Sequence, residues 1–139
     1  MPPITYRLGN DIPLDEVKAL YKASTLAERR PVNDPETFAA MMQHANLIVT
    51  AWDDDQLVGI ARTMTDFLYI GYLADLAVHV RYQRRGIGVG LVERTREAMG
   101  PDSKLTLLSA PAAVDYYPRI GFAHHPQAWI LDAKDPFPK

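Results

Sequence analysis

The sequence predicts an α/β fold, a mixed sheet covered by helices. The first half reads as a strand, two helices and three strands, and in the second half helix-period and strand-like segments alternate. Of 139 residues, 47% are hydrophobic and 23% charged, the balance of a globular chain with one core. A single domain spanning residues 1–139 is therefore expected. No repeat, low-complexity tract or linker interrupts it, and the polar break from Pro31 to Pro35 is too short to separate domains.

Ile4 to Leu8 reads as a first strand. Asp15 to Glu28 reads as a helix with Val17, Leu20, Tyr21 and Ala27 near one face. Asn33-Asp34-Pro35-Glu36 is a helix start, with Asp34 as cap and Pro35 at the first helical position, and this helix runs to about His44. Asn46 to Trp52 and Leu57 to Thr65 read as a hairpin across Asp53-Asp54-Asp55-Gln56, a loop without glycine. Tyr69 to Val80 is a long strand rich in aliphatic and aromatic residues. Gly86 to Met99 has helical period, with Leu91, Val92, Thr95, Ala98 and Met99 on one face, and Gly100-Pro101 ends it. Lys104 to Leu108 follows as a strand, Pro111 to Ile120 as a short helix with Gly121 as its left-handed cap, and Phe122 to His125 and Ala128 to Leu131 as two last strands. The tail from Asp132 to Lys139 is polar and expected on the surface.

Several chemistries are excluded. The net charge is −2 and no region is strongly basic, so the footprint of a nucleic-acid binder is absent. There are no cysteines, hence no disulfide, cysteine-ligated zinc or cysteine nucleophile. His44, His124 and His125 form no metal-ligand pattern, His79 reads more readily as a strand residue than as a base, and no metal is expected. No histidine pairs recognisably with Ser24, Ser103 or Ser109 to make a serine nucleophile. No run approaches the ~20 apolar residues that span a bilayer, and the N-terminus has no signal-like apolar core. A cytoplasmic protein without membrane contact is the expectation.

The most informative segment is Val78-His79-Val80-Arg81-Tyr82-Gln83-Arg84-Arg85-Gly86-Ile87-Gly88-Val89-Gly90, where a strand runs through a basic, glycine-rich turn into a helix. The first amides of a helix have no intrahelical acceptor, and the helix dipole adds positive charge there. Glycine admits a ligand close to the backbone. Together these make a phosphate cradle, with Arg84 and Arg85 adding two charges. Leu91 stands where a dinucleotide-binding motif has its third glycine, and a P-loop's Gly-Lys-Ser/Thr is missing.

What stands here, Gln83-x-x-Gly86-x-Gly88 after a long strand, resembles the acetyl-CoA pyrophosphate motif of the GNAT superfamily of acetyltransferases. Tyr116-Tyr117-Pro118-Arg119-Ile120-Gly121-Phe122 resembles the Phe-Tyr-x-x-x-Gly-Phe signature near the end of the same superfamily, at the expected distance. Ala61-Arg62 and Val114-Asp115-Tyr116-Tyr117 are similar to the plant plastid serotonin N-acetyltransferases and their bacterial relatives. The resemblance implies a mixed, mostly antiparallel sheet of about six to seven strands flanked by about four helices.

It also implies acetyl-CoA as cosubstrate and an amine, on a small molecule or a protein, as acceptor. The backbone of Leu76, Ala77, Val78 and Val80 would pair with the pantetheine amides. Gln83, Arg84, Arg85, Gly86, Ile87, Gly88 and Val89 would hold the pyrophosphate. Tyr117 would contact the cofactor and protonate the departing thiolate. Many relatives have an asparagine where Ala110 stands, and that contact is either lost or supplied by Ser109. Pro118 is a second departure, since inside a helix it removes a hydrogen bond and kinks the helix or makes it begin late.

An alkylamine is mostly protonated at neutral pH and must lose a proton before attacking. The glutamate many relatives use for this is replaced by Tyr72 and Ala74. Asp75 is the nearest carboxylate, a base acting through water or else a structural hydrogen-bonding residue. Phe67, Tyr69, Tyr72 and Trp129 are candidates for an aromatic acceptor wall, or filler of core and edge. Without a cysteine or serine nucleophile, direct attack in a ternary complex is expected. A non-catalytic CoA-binding sensor or interaction module is the alternative, and a nucleotide-binding enzyme a third reading. Exposed edge strands allow a homodimer.

Overall fold

Five strands form one sheet in chain order: β1 (Thr5–Leu8), β2 (Leu47–Asp53), β3 (Gln56–Thr65), β4 (Ile70–Val78) and β5 (Lys104–Thr106). The first three pairings are antiparallel and β4 with β5 is parallel. The computed structural model describes residues 3–138, in two compact units, the first ending at Leu108 and the second beginning at Ser109.

In the first unit, β2 and β3 are buried along nearly their whole length. On one face lie α1 (Leu14–Ala23) and α2 (Pro35–Gln43), whose Val17, Leu20, Tyr21, Phe38 and Met42 join Ile48, Trp52 and Ile60 in the main core. Tyr21 and Phe38 meet edge to face, centroids 5.2 Å apart. The other face takes α3 (Ile87–Met99), which sits close because Gly59 has no side chain: a Cβ there would lie 3.0 Å from Leu91 Cδ1 and 3.2 Å from Ile87 Cγ2.

Local chemistry sets the boundaries. Asp34 caps α2 as expected, accepting from the Thr37 N–H at 3.2 Å and from the Thr37 hydroxyl at 2.8 Å. The β2–β3 turn manages without glycine because Asp54 takes the left-handed conformation, φ 49°, which aspartate adopts more readily than most residues. The helix expected over Asp15 to Glu28 is divided. Ser24 Oγ donates to the Tyr21 carbonyl and accepts from the Leu26 N–H, competing with the helix backbone. Thr25 then turns left-handed, φ 72°, and a 3₁₀ turn covers Leu26–Arg29. β4 ends at Val78 and not at Val80, since His79 opens a 3₁₀ turn over Val80–Tyr82 by accepting the Arg81 N–H on Nδ1. β5 stops at Thr106, short of the expected Leu108.

In the second unit, a 3₁₀ turn (Pro111–Ala113) precedes α4 (Tyr116–Arg119). The helix expected from Pro111 thus begins late, with Pro118 in its first turn, where no N–H is required. The two strands expected over Phe122 to His125 and Ala128 to Leu131 do not form. The Phe122 N–H is spent on the end of α4, Pro126 has none, and His125 holds a turn through Gln127 and Ala128. Among the described residues the sheet therefore has five strands, not six or seven.

Candidate cofactor cradle

The site is built on β4. Its ladder with β5 covers only Ile70 to Tyr72, opposite Lys104 to Thr106. From Leu73 to Val78 that edge carries no strand partner among the described residues. The departure coincides with a bulge. Against β3, Thr63 faces Leu73 and Arg62 faces Asp75, so Ala74 is one residue too many. A bulge bends and twists its strand, and here it turns the second half of β4 into an open edge.

The open edge leads straight into the basic turn. Tyr82 pins this turn to the β2–β3 hairpin, donating its hydroxyl to Asp53 Oδ2 at 2.6 Å. That bond, with burial and the Asp53 charge, raises the phenol above its ordinary pKa. The Arg85 guanidinium lies 5.0 Å above the Tyr82 ring. Gln83 folds back, its Nε2 donating to the Val78 carbonyl at 3.0 Å. Arg84 is exposed and left-handed, φ 66°, a conformation that costs a non-glycine residue about 1–2 kcal/mol.

Gly86, φ 79°, makes the last step into α3, and nothing lies within 4 Å of where its Cβ would be. No side chain caps α3. Its first ladder bond runs from the Gly90 N–H to the Gly86 carbonyl, 3.0 Å, so the amides of Ile87, Gly88 and Val89 precede the ladder. This arrangement suits a diphosphate: helix-start amides, the positive end of the dipole of a 13-residue helix, and two arginines on an exposed turn.

Asp75 lies elsewhere in character. Its side chain is 0% exposed. Oδ1 accepts from Arg30 Nε at 2.6 Å, and Oδ2 from Arg62 Nε at 2.6 Å and from the Tyr21 hydroxyl at 2.5 Å. Burial pushes its pKa up, but the Arg62 guanidinium, the Tyr21 hydroxyl and the Arg30 charge outweigh burial and hold it below the ordinary carboxylate range. Arg30 also donates to the Ala74 carbonyl at 2.8 Å, and Arg62 to the Met41 carbonyl at 3.2 Å. Sequence reasoning missed Tyr21, Arg30 and Tyr82 in these roles. The one available signal was an arginine and an aspartate inside neighbouring apolar strands, since charges in such positions must pair.

In the second unit, Tyr117 is half-buried between Tyr116 and Phe122, with ring centroids 5.3 and 5.4 Å away. The Phe122 N–H reaches the Tyr117 carbonyl at 3.1 Å and the Gly121 N–H reaches the Pro118 carbonyl at 3.3 Å. With Gly121 at φ 102°, this is a Schellman motif together with its usual apolar contact. The signature Tyr117-x-x-x-Gly121-Phe122 is thus a helix end that clamps the tyrosine. Ser109 stands at the start of this unit, half-buried. Phe67, Tyr69 and Tyr72 are exposed on or beside the β3–β4 turn, and Trp129 is 91% exposed in the second unit. The described residues hold no cluster of metal-ligating side chains and no helix long and apolar enough to cross a membrane.

Comparison with known proteins matches residues 17–129 to the family model described as an acetyltransferase (GNAT) domain. GCN5-related N-acetyltransferase 2, chloroplastic, from Arabidopsis thaliana is 30% identical over 76 residues, which are 53% of this chain and 30% of that protein. The chain therefore matches under a third of that relative's length. A GNAT-family acetyltransferase from Streptococcus pneumoniae is 26% identical, with TM-score 0.65 over 93% of this chain and 98% of that one. An aminoglycoside N-acetyltransferase in complex with CoA shares the fold at 15% identity, TM-score 0.73, covering 95% of each chain.

Proposed function

Since this chain belongs to the acetyltransferase (GNAT) family, we propose that it transfers acetyl from acetyl-CoA to a primary amine by direct attack in a ternary complex. One observation carries the reading: the open edge of β4 from Leu73 to Val78 runs directly into the uncapped, doubly basic start of α3. Pantetheine carries two peptide-like amides and is joined to a diphosphate. An unpaired strand edge suits the amides, and a helix start suits the diphosphate. Leu76, Ala77 and Val78 take the arm. The amides of Ile87, Gly88 and Val89, with Gly86, Arg84 and Arg85, take the phosphates. Val80 lies in the 3₁₀ turn between these two groups, and Gln83 ties the turn to the strand end. Ser109 remains the candidate for the contact absent at Ala110.

The amine lone pair attacks the thioester carbonyl, the adduct nitrogen gives its extra proton to solvent, the tetrahedral adduct collapses, the C–S bond breaks, and the amide forms. The thiolate takes a proton from the Tyr117 phenol, which regains one from solvent. This role rests on the motif. The ammonium proton leaves to water, because Asp75 is the wrong base: its oxygens are held by two guanidiniums and a phenol, and its low pKa makes it reluctant to accept a proton. Of its two readings we adopt the structural one.

Burial of that carboxylate is also the observation that favours the alternative, a CoA-binding module without catalysis. Initial-rate kinetics with a panel of amines, including an aminoglycoside, separates the two. Intersecting double-reciprocal lines support the ternary complex, and parallel lines overturn it. Tyr117→Phe is expected to lower kcat by about 10²-fold with CoA affinity intact. CoA binding with no turnover on any amine selects the module.

A further inference from the structure

The bulge that opens β4 needs something to hold its shape. An extra residue in a strand is left unpaired in the ladder, and its carbonyl still requires a donor. Ala74 obtains that donor from Arg30 Nη2 at 2.8 Å, while Arg30 Nε binds the carboxylate of the next residue, Asp75, at 2.6 Å. The third nitrogen, Nη1, donates to the Arg29 carbonyl at 2.9 Å. Arg30 thus grips two successive residues of β4 with one rigid fork. It comes from the segment joining α1 to α2, 44 residues before Ala74, and its side chain is 24% exposed. Arg62 and Tyr21 secure the far oxygen of Asp75, but no bond of theirs reaches Ala74.

We infer that Arg30 is a positioning residue: it fixes the bulge at Ala74 and so sets the line of backbone groups from Leu76 to Val78 that the pantetheine arm follows. The inference rests on the proposed function for what lies on that edge. Lysine is a poor replacement for arginine here, because a rotatable ammonium on a flexible stem lacks the planar fork that holds both acceptors in fixed directions.

The test is calorimetric binding of acetyl-CoA and of adenosine 3′,5′-bisphosphate, a CoA fragment without pantetheine, to wild type, Arg30→Lys and Tyr21→Phe. Arg30→Lys should weaken acetyl-CoA by about tenfold and the nucleotide by less than about twofold. Tyr21→Phe, which loosens the same network without touching Ala74, should change neither. Equal weakening of both ligands by Arg30→Lys, no weakening at all, or the same pattern in Tyr21→Phe overturns the inference. The ligand-free wild type gives an independent check by NMR, which also serves if Arg30→Lys does not fold. Slow solvent exchange and slow rotation of the Arg30 guanidinium protons are required, and a freely rotating guanidinium refutes the clamp. A wild type that binds neither ligand sinks the functional reading instead, while the NMR still reads the clamp.

Discussion

Asp75 is the residue on which the buried charges converge. Two cations and a phenol satisfy one buried carboxylate, so removing its charge leaves Arg62, whose side chain is 9% exposed, without compensation. Breaking one partner out of a buried ion pair typically costs about 3–5 kcal/mol. With Arg30 partly solvated, Asp75→Asn should sit near the lower end, about 3 kcal/mol. Tyr21→Phe removes one hydrogen bond to a charged group and should cost about 1.5–3 kcal/mol. Urea unfolding of both variants checks the order, and an Asp75→Asn no less stable than Tyr21→Phe contradicts the picture. The sequence made Asp75 visible as a charge in an apolar strand, but offered two roles for it. The decision needed Arg30 and Tyr21, which are 45 and 54 residues away and carry no local mark of pairing with it.

At the scale of elements, what was legible depended on where the bonding partners lie. The start of α2 and the passage from β4 to α3 are set by neighbours in the chain: Asp34 reaches Thr37, and Gly86 supplies the left-handed step. The end of α4 is equally local, a glycine cap at Gly121. The two strands expected last do not form because apolar residues with strand propensity make a strand only when a ladder partner is present. The bulge at Ala74 left no local trace either, since its register is defined against β3. Packing of α3 on the sheet is a matter of distance, and Gly59 sets it. Gly59→Val would push branched methyls onto Leu91, Ile87 and Ala51, already within 3.0 to 3.2 Å of a Cβ. Overpacking of this kind costs about 1–3 kcal/mol. The strain falls on the first turns of α3, so acetyl-CoA binding should weaken along with the loss of Tm. A Gly59→Val protein with wild-type Tm would show that the helix is not seated as described.

Taken whole, the molecule should answer to two variables, cosubstrate and pH. A ligand that binds only the folded state stabilises it by mass action, about 2.7 kcal/mol at a hundred times Kd. Acetyl-CoA should therefore raise Tm by several degrees, whereas ATP and NAD should not, and equal shifts from all three would point to a generic phosphate site. The pH response follows from the cluster around Asp75. Its folded pKa lies below the ordinary carboxylate value, so its contribution is complete above about pH 4 and is lost as pH falls through the folded pKa. Tyr21 behaves in the opposite sense. Burial, then the Asp75 charge and hydrogen bond, hold its pKa well above 10.0. The unfolded phenol ionises near pH 10, so this contribution is complete below about pH 10 and is lost as pH rises through the folded pKa. Tyr6, Tyr82 and Tyr116 are raised as well, and Asp34 and Asp66 are lowered, so each limb has several contributors. Tm should be level between about pH 5 and 9 and fall on both sides. Asp75→Asn should flatten part of the acid limb, and Tyr21→Phe part of the alkaline limb with a smaller part of the acid limb, since its hydroxyl is one of the groups that lower Asp75. A Tyr21→Phe curve parallel to wild type up to about pH 11 would mean that neither burial nor that carboxylate holds the phenol neutral, and the convergence on Asp75 would have to be redrawn.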